Sequence, residues 1–187
     1  MSIPTQIQAV YKRSSCLHTK HEIENQLDRL AEEIRKKIAD KNPLLLCVMI
    51  GGLVLGGNLL PRLDFPLEVD YIHATRYRGQ TSGHNDLIWK AIPTADLNNR
   101  TILIIEDILD QGVTLQEIIN YCYAQGAKEV LSVVLLDKRE CRINGGLPTA
   151  DFTGIVIPNA YVFGYGLDYK NYLRNAPGIY MVAAQDQ

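Results

Sequence analysis

Three carboxylates fall within five residues of the stretch TILIIEDILDQGVTL, residues 101–115: Glu106, Asp107 and Asp110. They follow the aliphatic run Ile102 to Ile105 and precede Gly112 and Thr114. A carboxylate buried without a partner is costly, so the trio requires a cation, a hydroxylated ligand or water. The continuous apolar run predicts a strand buried on both faces, with Glu106 and Asp107 where it ends. Gly112 and Thr114 predict the tight turn that opens a helix. In an open α/β sheet, ligands bind at the carboxyl ends of the strands. Asp110 also has an ordinary structural reading, as the N-cap of that helix.

Two other stretches have the same form. Leu44 to Ile50 is an apolar run followed at once by Gly51-Gly52 and a helix-like stretch ending near Pro61. Glycine lets backbone N–H groups approach an anion, and a helix N-terminus carries partial positive charge. A glycine pair is equally good turn chemistry. The third run, Val130 to Leu136, ends at Asp137-Lys138-Arg139, where a lysine is ordinarily a solvated charge.

The elements that must position these groups alternate. HEIENQLDRLAEEIRKKIAD, residues 21–40, puts Ile23, Leu27, Leu30, Ala31, Ile34 and Ile38 on one helical face. LEVDYIHATRY, from Leu67, predicts a strand, and residues 78–86 break all periodicity and read as a mobile surface loop. LIWKAI would return from that loop as a strand, making a flap. VTLQEIINYCYAQGA predicts the helix after the acidic stretch, ended by Gly126. Strands alternating with helices predict an α/β fold with a mostly parallel sheet. The tail, FTGIVIPNAYVFGYGLDYKNYLRN and then IYMVA, is strand-like, rich in Gly and aromatic residues, and predicts a small cap over the end of the sheet.

Composition removes several classes. The 187 residues suit one domain. A net charge of -2 offers no field for nucleic acid or an anionic membrane. No apolar run approaches a membrane span, and the N-terminus has no signal-peptide pattern. Cys16, Cys47, Cys122 and Cys141 lack paired spacing, which argues for idle thiols in a reducing cytoplasm. The histidines match no metal spacing.

The acidic stretch closely resembles the phosphoribosyl-pyrophosphate signature of type I phosphoribosyltransferases. LCVMIGG, LDKR and VFGYGLDYKNYLR are similar to segments of the hypoxanthine-guanine phosphoribosyltransferases, in the same order and with compatible spacing. The likeness covers residues 20–184. It implies a Rossmann-like core over residues 20–140, a hood mainly from residues 141–187 with N-terminal residues, and a mobile flap. It implies a cytoplasmic, Mg²⁺-dependent purine salvage enzyme, a homodimer or homotetramer. That enzyme moves the 5-phosphoribosyl group of phosphoribosyl pyrophosphate to N9 of hypoxanthine or guanine, giving the purine nucleotide and pyrophosphate.

The resemblance also implies residue roles. Glu106 and Asp107 hold the ribose hydroxyls and Mg²⁺, and stabilise positive charge on the sugar. Gln111, Gly112, Val113 and Thr114 cradle the 5′-phosphate, with Gln111 standing where the family often has Thr. Ile50 and Gly51 belong to a pyrophosphate loop with a cis peptide at Met49–Ile50, Ile50 replacing the Lys of some relatives. Asp110 takes the purine N7 proton. Lys138 bonds O6 and, having only donors, mismatches the amino group of adenine. Tyr161 stacks on the purine, Val162 offers backbone groups, and Asp168 reaches the metal through water. Arg174 clamps pyrophosphate and Tyr77 belongs to the flap. A regulator sensing phosphoribosyl pyrophosphate or nucleotides, and a transferase for xanthine, are the alternatives. Retention of Glu106, Asp107, Asp110, Lys138, Asp168 and Arg174 together argues for catalysis.

Overall fold

The apolar stripe of residues 21–40 forms the helix Lys20–Ile38, opened by a capping box in which Thr19 and Glu22 satisfy each other's backbone N–H. All six stripe residues are buried, each worth roughly 1.5–3 kcal/mol of apolar transfer for the largest of them. A computed structural model describes residues 5–76 and 87–187. Tyr77 and the loop read at residues 78–86 lie outside the described residues.

In chain order the elements are α1 (Thr5–Arg13), β1 (Ser15–His18), α2 (Lys20–Ile38), β2 (Leu44–Val48), α3 (Gly52–Leu59), β3 (Glu68–Arg76) and β4 (Leu87–Ala91). They continue with β5 (Thr101–Leu109), α4 (Val113–Ala124), β6 (Glu129–Asp137), β7 (Phe152–Val156), β8 (Val162–Phe163) and β9 (Ile179–Met181). Six strands form one sheet in the order β4-β3-β2-β5-β6-β7. β4 runs antiparallel to β3 and the other pairs are parallel. Helices α2 and α3 cover one face, packing on Leu103 and Ile105. Helix α4 covers the other, packing on Ile102 and Ile104. Alternation along β5 thus serves two cores, which is why its apolar run is unbroken.

Two expectations are corrected. β5 does not end at the acids: it continues to Leu109, with Glu106 opposite Val134 and Leu109 opposite Asp137. The neighbouring strand supplies backbone partners beyond the point where the apolar run stops, so polar side chains are carried inside a strand. The core also reaches past residue 140. β7 is the sixth strand of the main sheet, parallel to β6. Its Gly154 lies so close to Leu135 that a Cβ would stand 2.5 Å from that carbonyl oxygen. Arg29 of α2 donates to the Thr153 and Gly154 carbonyls at 2.8 and 3.0 Å, which covers this sheet edge.

The cap is a three-stranded antiparallel sheet, β1-β9-β8. Helix α1 packs on it through Ile7 and Val10, against Phe163, Tyr169, Ala176 and Val182. The chain's first residues and its tail therefore build one layer together. Among the described residues no helix is long and apolar enough to cross a membrane.

Candidate active site

Beyond β5 the chain turns through Asp110, Gln111 and Gly112 into α4. Gly112 adopts a left-handed φ of +84° and is itself the N-cap residue, without a side-chain cap. Asp110 lies two residues earlier and is exposed, so the N-cap reading of Asp110 does not hold. The N-terminus of α4, with its partial positive charge, therefore opens at this turn. Only glycine fits at 112: besides its φ, an added Cβ would stand 2.5 Å from the Leu147 carbonyl oxygen. The same backbone is held by the Leu147 N–H, which donates to the Gly112 carbonyl at 3.0 Å. Glu106, Asp107, Asp110, Gln111, Gly112 and Thr114 line a cavity of about 200 Å³ above this turn.

The acidic pair is electrostatically unsatisfied. Asp107 is buried and Glu106 half-buried, and the Asp107 N–H donates to Glu106 Oε1 at 3.1 Å. Burial, and then the charge of Asp107, push the Glu106 carboxyl well above the usual carboxylate range. Burial raises Asp107 as well, although Arg174 acts in the opposite direction on both. Burial and mutual repulsion thus disfavour charge on both carboxylates at once, and a cation or hydroxyl donors would relieve that cost.

Asp168 is close enough to raise Asp107, yet no group of three His, Cys, Asp or Glu side chains able to hold a metal occurs among the described residues. An adjacent carboxylate pair does fit a hard cation that keeps its waters and completes its shell with substrate phosphate.

The glycine loop after β2 closes over this pair. Met49 donates its N–H to the Ile72 carbonyl at 2.8 Å, the Met49–Ile50 peptide is cis, and Ile50 is exposed. A Cβ on Gly51 would lie 2.0 Å from Asp107 Oδ2, and one on Gly166 would lie 2.4 Å from the Gly51 carbonyl oxygen. The glycine loop is thus wedged between the Asp107 side chain of β5 and the backbone of a cap turn. That turn has left-handed φ values at Gly164, Tyr165 and Gly166 of +98°, +49° and +110°. Buried Tyr165 anchors it by donating from its hydroxyl to Glu24 at 3.2 Å. Arg174 pairs with Asp168 at 2.6 Å and donates to the Gly166 carbonyl at 2.7 Å. The second Asp168 oxygen accepts the Asn171 N–H at 2.8 Å. Asp168 and Arg174, to which the resemblance gives separate roles, form one ion pair here.

On the other side of Asp110 stands Lys138, half-buried just past β6, its N–H bonded to the Leu109 carbonyl at 3.0 Å. Tyr161 is exposed, its ring centroid 5.6 Å from that of Tyr169. Val182 donates its N–H to the Tyr161 carbonyl at 2.9 Å. Backbone direction alternates along an antiparallel strand, and β8 is the outer strand of its sheet. The N–H and C=O of Val162 therefore face the open edge.

Sequence reasoning missed Arg142. Its guanidinium donates to the carbonyls of Leu109, Asp110 and Lys138 and pairs with Asp137, which is 2% exposed. A buried aspartate closing an apolar strand was the available signal that a cation had to be near. Cys47 and Cys122 are buried, which pushes both thiols up to about 12, while Cys16 is exposed and Cys141 half-buried. A larger cleft, of about 710 Å³, lies at the opposite end of the strands among Asp40, Lys41, Asn42, Arg100 and Glu129. Its Lys41 and Glu129 are already paired at 2.8 Å, and no helix begins among its lining residues.

Residues 14–169 match the family described as Phosphoribosyl transferase domain. The hypoxanthine-guanine-xanthine phosphoribosyltransferase of Tritrichomonas foetus is 34% identical over 163 residues, covering 87% of this chain and 88% of that protein. The hypoxanthine-guanine phosphoribosyltransferase of Bacillus subtilis is 35% identical over 167 residues, covering 87% and 89%. A crystal structure of a hypoxanthine phosphoribosyltransferase from Staphylococcus aureus aligns with a TM-score of 0.85 at 29% identity, covering 91% of this chain and 92% of that one.

Proposed function

The chain belongs to the phosphoribosyltransferase family, and on that premise we propose that it transfers the 5-phosphoribosyl group of phosphoribosyl pyrophosphate to N9 of hypoxanthine or guanine. One observation carries this reading. An acidic pair, a glycine turn at a helix N-terminus and a lysine meet at the carboxyl ends of the adjacent strands β5 and β6.

In the reaction the bond from C1 to pyrophosphate breaks, the bond from C1 to N9 forms, and the purine N7 proton passes to the Asp110 carboxylate. Backbone N–H groups of Gln111, Gly112 and Val113, with the Thr114 hydroxyl, bind the 5′-phosphate at the start of α4. Glu106 and Asp107 accept the ribose hydroxyls and oppose the positive charge that grows on the sugar ring. Glu106 and Asp107, with Asp168, would hold a Mg²⁺ ion, which would supply positive charge for the pyrophosphate that leaves. Ile50 and Gly51 offer backbone to pyrophosphate, and Arg174 adds the donors that Gly166 and Asp168 leave over. Lys138 donates to O6, Tyr161 stacks on the ring, and the open edge at Val162 meets N1–H and the C2 substituent.

Xanthine is a second acceptor on this reading. The Tritrichomonas foetus relative carries it in its name, and the C2 side is read here by the backbone edge at Val162. We further read the protein as cytoplasmic and as a homodimer or homotetramer. Leu53, Val69 and Tyr71 are about half exposed around one apolar hollow, which suits a contact between copies, and light scattering measures the mass.

The deciding experiment is steady-state turnover with phosphoribosyl pyrophosphate and Mg²⁺, offering hypoxanthine, guanine, xanthine and adenine separately. Turnover of the oxopurines with adenine rejected is the expected result. Binding of phosphoribosyl pyrophosphate with no turnover of any base would instead favour a regulator on the same fold.

A further inference from the structure

Arg142 has no part in the chemistry above, yet its guanidinium spans the site from beneath. Nη1 donates to the Leu109 carbonyl at 2.8 Å, to the Lys138 carbonyl at 3.1 Å and to the Asp110 carbonyl. Nη2 pairs with Asp137 Oδ1, while Nε donates to the Pro148 carbonyl at 3.1 Å. Leu109 and Asp137 are register partners at the ends of β5 and β6. The next residues, Asp110 and Lys138, are the proposed base and O6 donor. A planar guanidinium offers five donors in a fixed fork, and an ammonium could not satisfy acceptors spread this widely. A purely structural ion pair would need Asp137 alone. Arg142 instead collects the carbonyls of Leu109 and Asp110 at the end of β5, of Lys138 just past β6, and of Pro148. It thereby also ties in the segment whose Leu147 supports the Gly112 turn.

We propose that Arg142 is a positioning residue: it sets the separation of Asp110 and Lys138, so that proton transfer at N7 and recognition of O6 act on one ring. The assignment rests on the acceptor class proposed above. The test compares Arg142→Lys and Asp137→Asn with the wild type for kcat and purine KM on hypoxanthine. Each is then repeated in Lys138→Ala and Asp110→Asn backgrounds. Thermal melts and binding of phosphoribosyl pyrophosphate check that each variant is folded.

Arg142→Lys is expected to lower kcat/KM for hypoxanthine on the order of 10–100-fold, since a displacement of about 1 Å costs that much. The loss should be small once Lys138 or Asp110 is already removed, because positioning acts through them. Asp137→Asn weakens the Arg142 pair while keeping the side chain's size, and also the pair of Asp137 with exposed Arg139 at 3.2 Å, so it is read beside Arg139→Ala. It should behave as Arg142→Lys does and replaces that variant if it does not fold. Wild-type kinetics in the single variants, or losses that multiply in full in the double variants, overturn the assignment. Absence of wild-type turnover with any purine overturns the acceptor reading and this inference together, whereas an active wild type with unaltered variants removes only the role of Arg142.

Discussion

Gly51 and Asp107 occupy the same space: a methyl group on Gly51 would lie 2.0 Å from the Asp107 carboxylate, although the two residues are far apart in sequence. The glycine loop can close over the acidic pair only because it has no side chain there. Gly51→Ala should push the carboxylate aside and lower kcat/KM on the order of 10²-fold. Circular dichroism should remain that of the wild type, and steady-state kinetics beside a melt measure both.

Asp110 is exposed and caps no helix, and its side-chain partner is the Cys141 thiol, a bond that an amide oxygen can also accept. Asp110→Asn should lower kcat by roughly 10²–10⁴-fold with little change in melting temperature. A fall in stability of comparable size would return Asp110 to a structural role.

Burial raises both carboxyls, Glu106 well above its ordinary value and Asp107 above its own. The folded protein therefore binds more protons than the unfolded chain from the ordinary carboxylate value upward, and these groups subtract stability as pH rises through that window. His73, lowered by burial, acts in the opposite direction below its ordinary value, so the difference between variants is the useful quantity. Glu106→Gln should melt higher than the wild type at pH 7 and by less at pH 5, while losing turnover. Calorimetric melts across that range measure it.

Loading the site should move protons for the same reason. Mg²⁺ with phosphoribosyl pyrophosphate stabilises the ionised pair, so binding at pH 7 releases protons to the buffer. Titration calorimetry in buffers of different ionisation enthalpy reads this release, and Glu106→Gln should diminish it. Equal heats in all buffers for the wild type would contradict the raised carboxyls.

Lys138 presents donors only. Lys138→Gln adds an amide oxygen that can accept from an exocyclic amino group. The ratio of hypoxanthine to adenine kcat/KM should fall at least about tenfold, since each directed hydrogen bond of this kind is worth about 1.4 kcal/mol or more. Competition between the two bases measures the ratio directly.

The α/β order was readable because β2, β5 and β6 are buried on both faces and so appear as unbroken apolar runs, while α2 shows a helical stripe. Glu106, Asp107, Asp110 and Lys138 could be found because each stands at or just past the end of such a run. β7 was misassigned to the cap: a glycine in its middle and an exposed Val156 at its end hide an edge strand from any periodicity.

Local chemistry thus determined by itself which segments become strands and helices and which carboxylates need a partner, since propensity, alternation and turn residues act over a few positions. Tertiary structure alone decided how far β5 runs beyond its apolar residues, where Arg142 reaches, and that Asp168 pairs with Arg174. It alone also decided that Gly51 must yield its space to Asp107. Each of these depends on which distant backbone supplies a hydrogen-bond partner or occupies a volume. Such closeness arises only when non-adjacent segments pack, and no spacing along one segment encodes it.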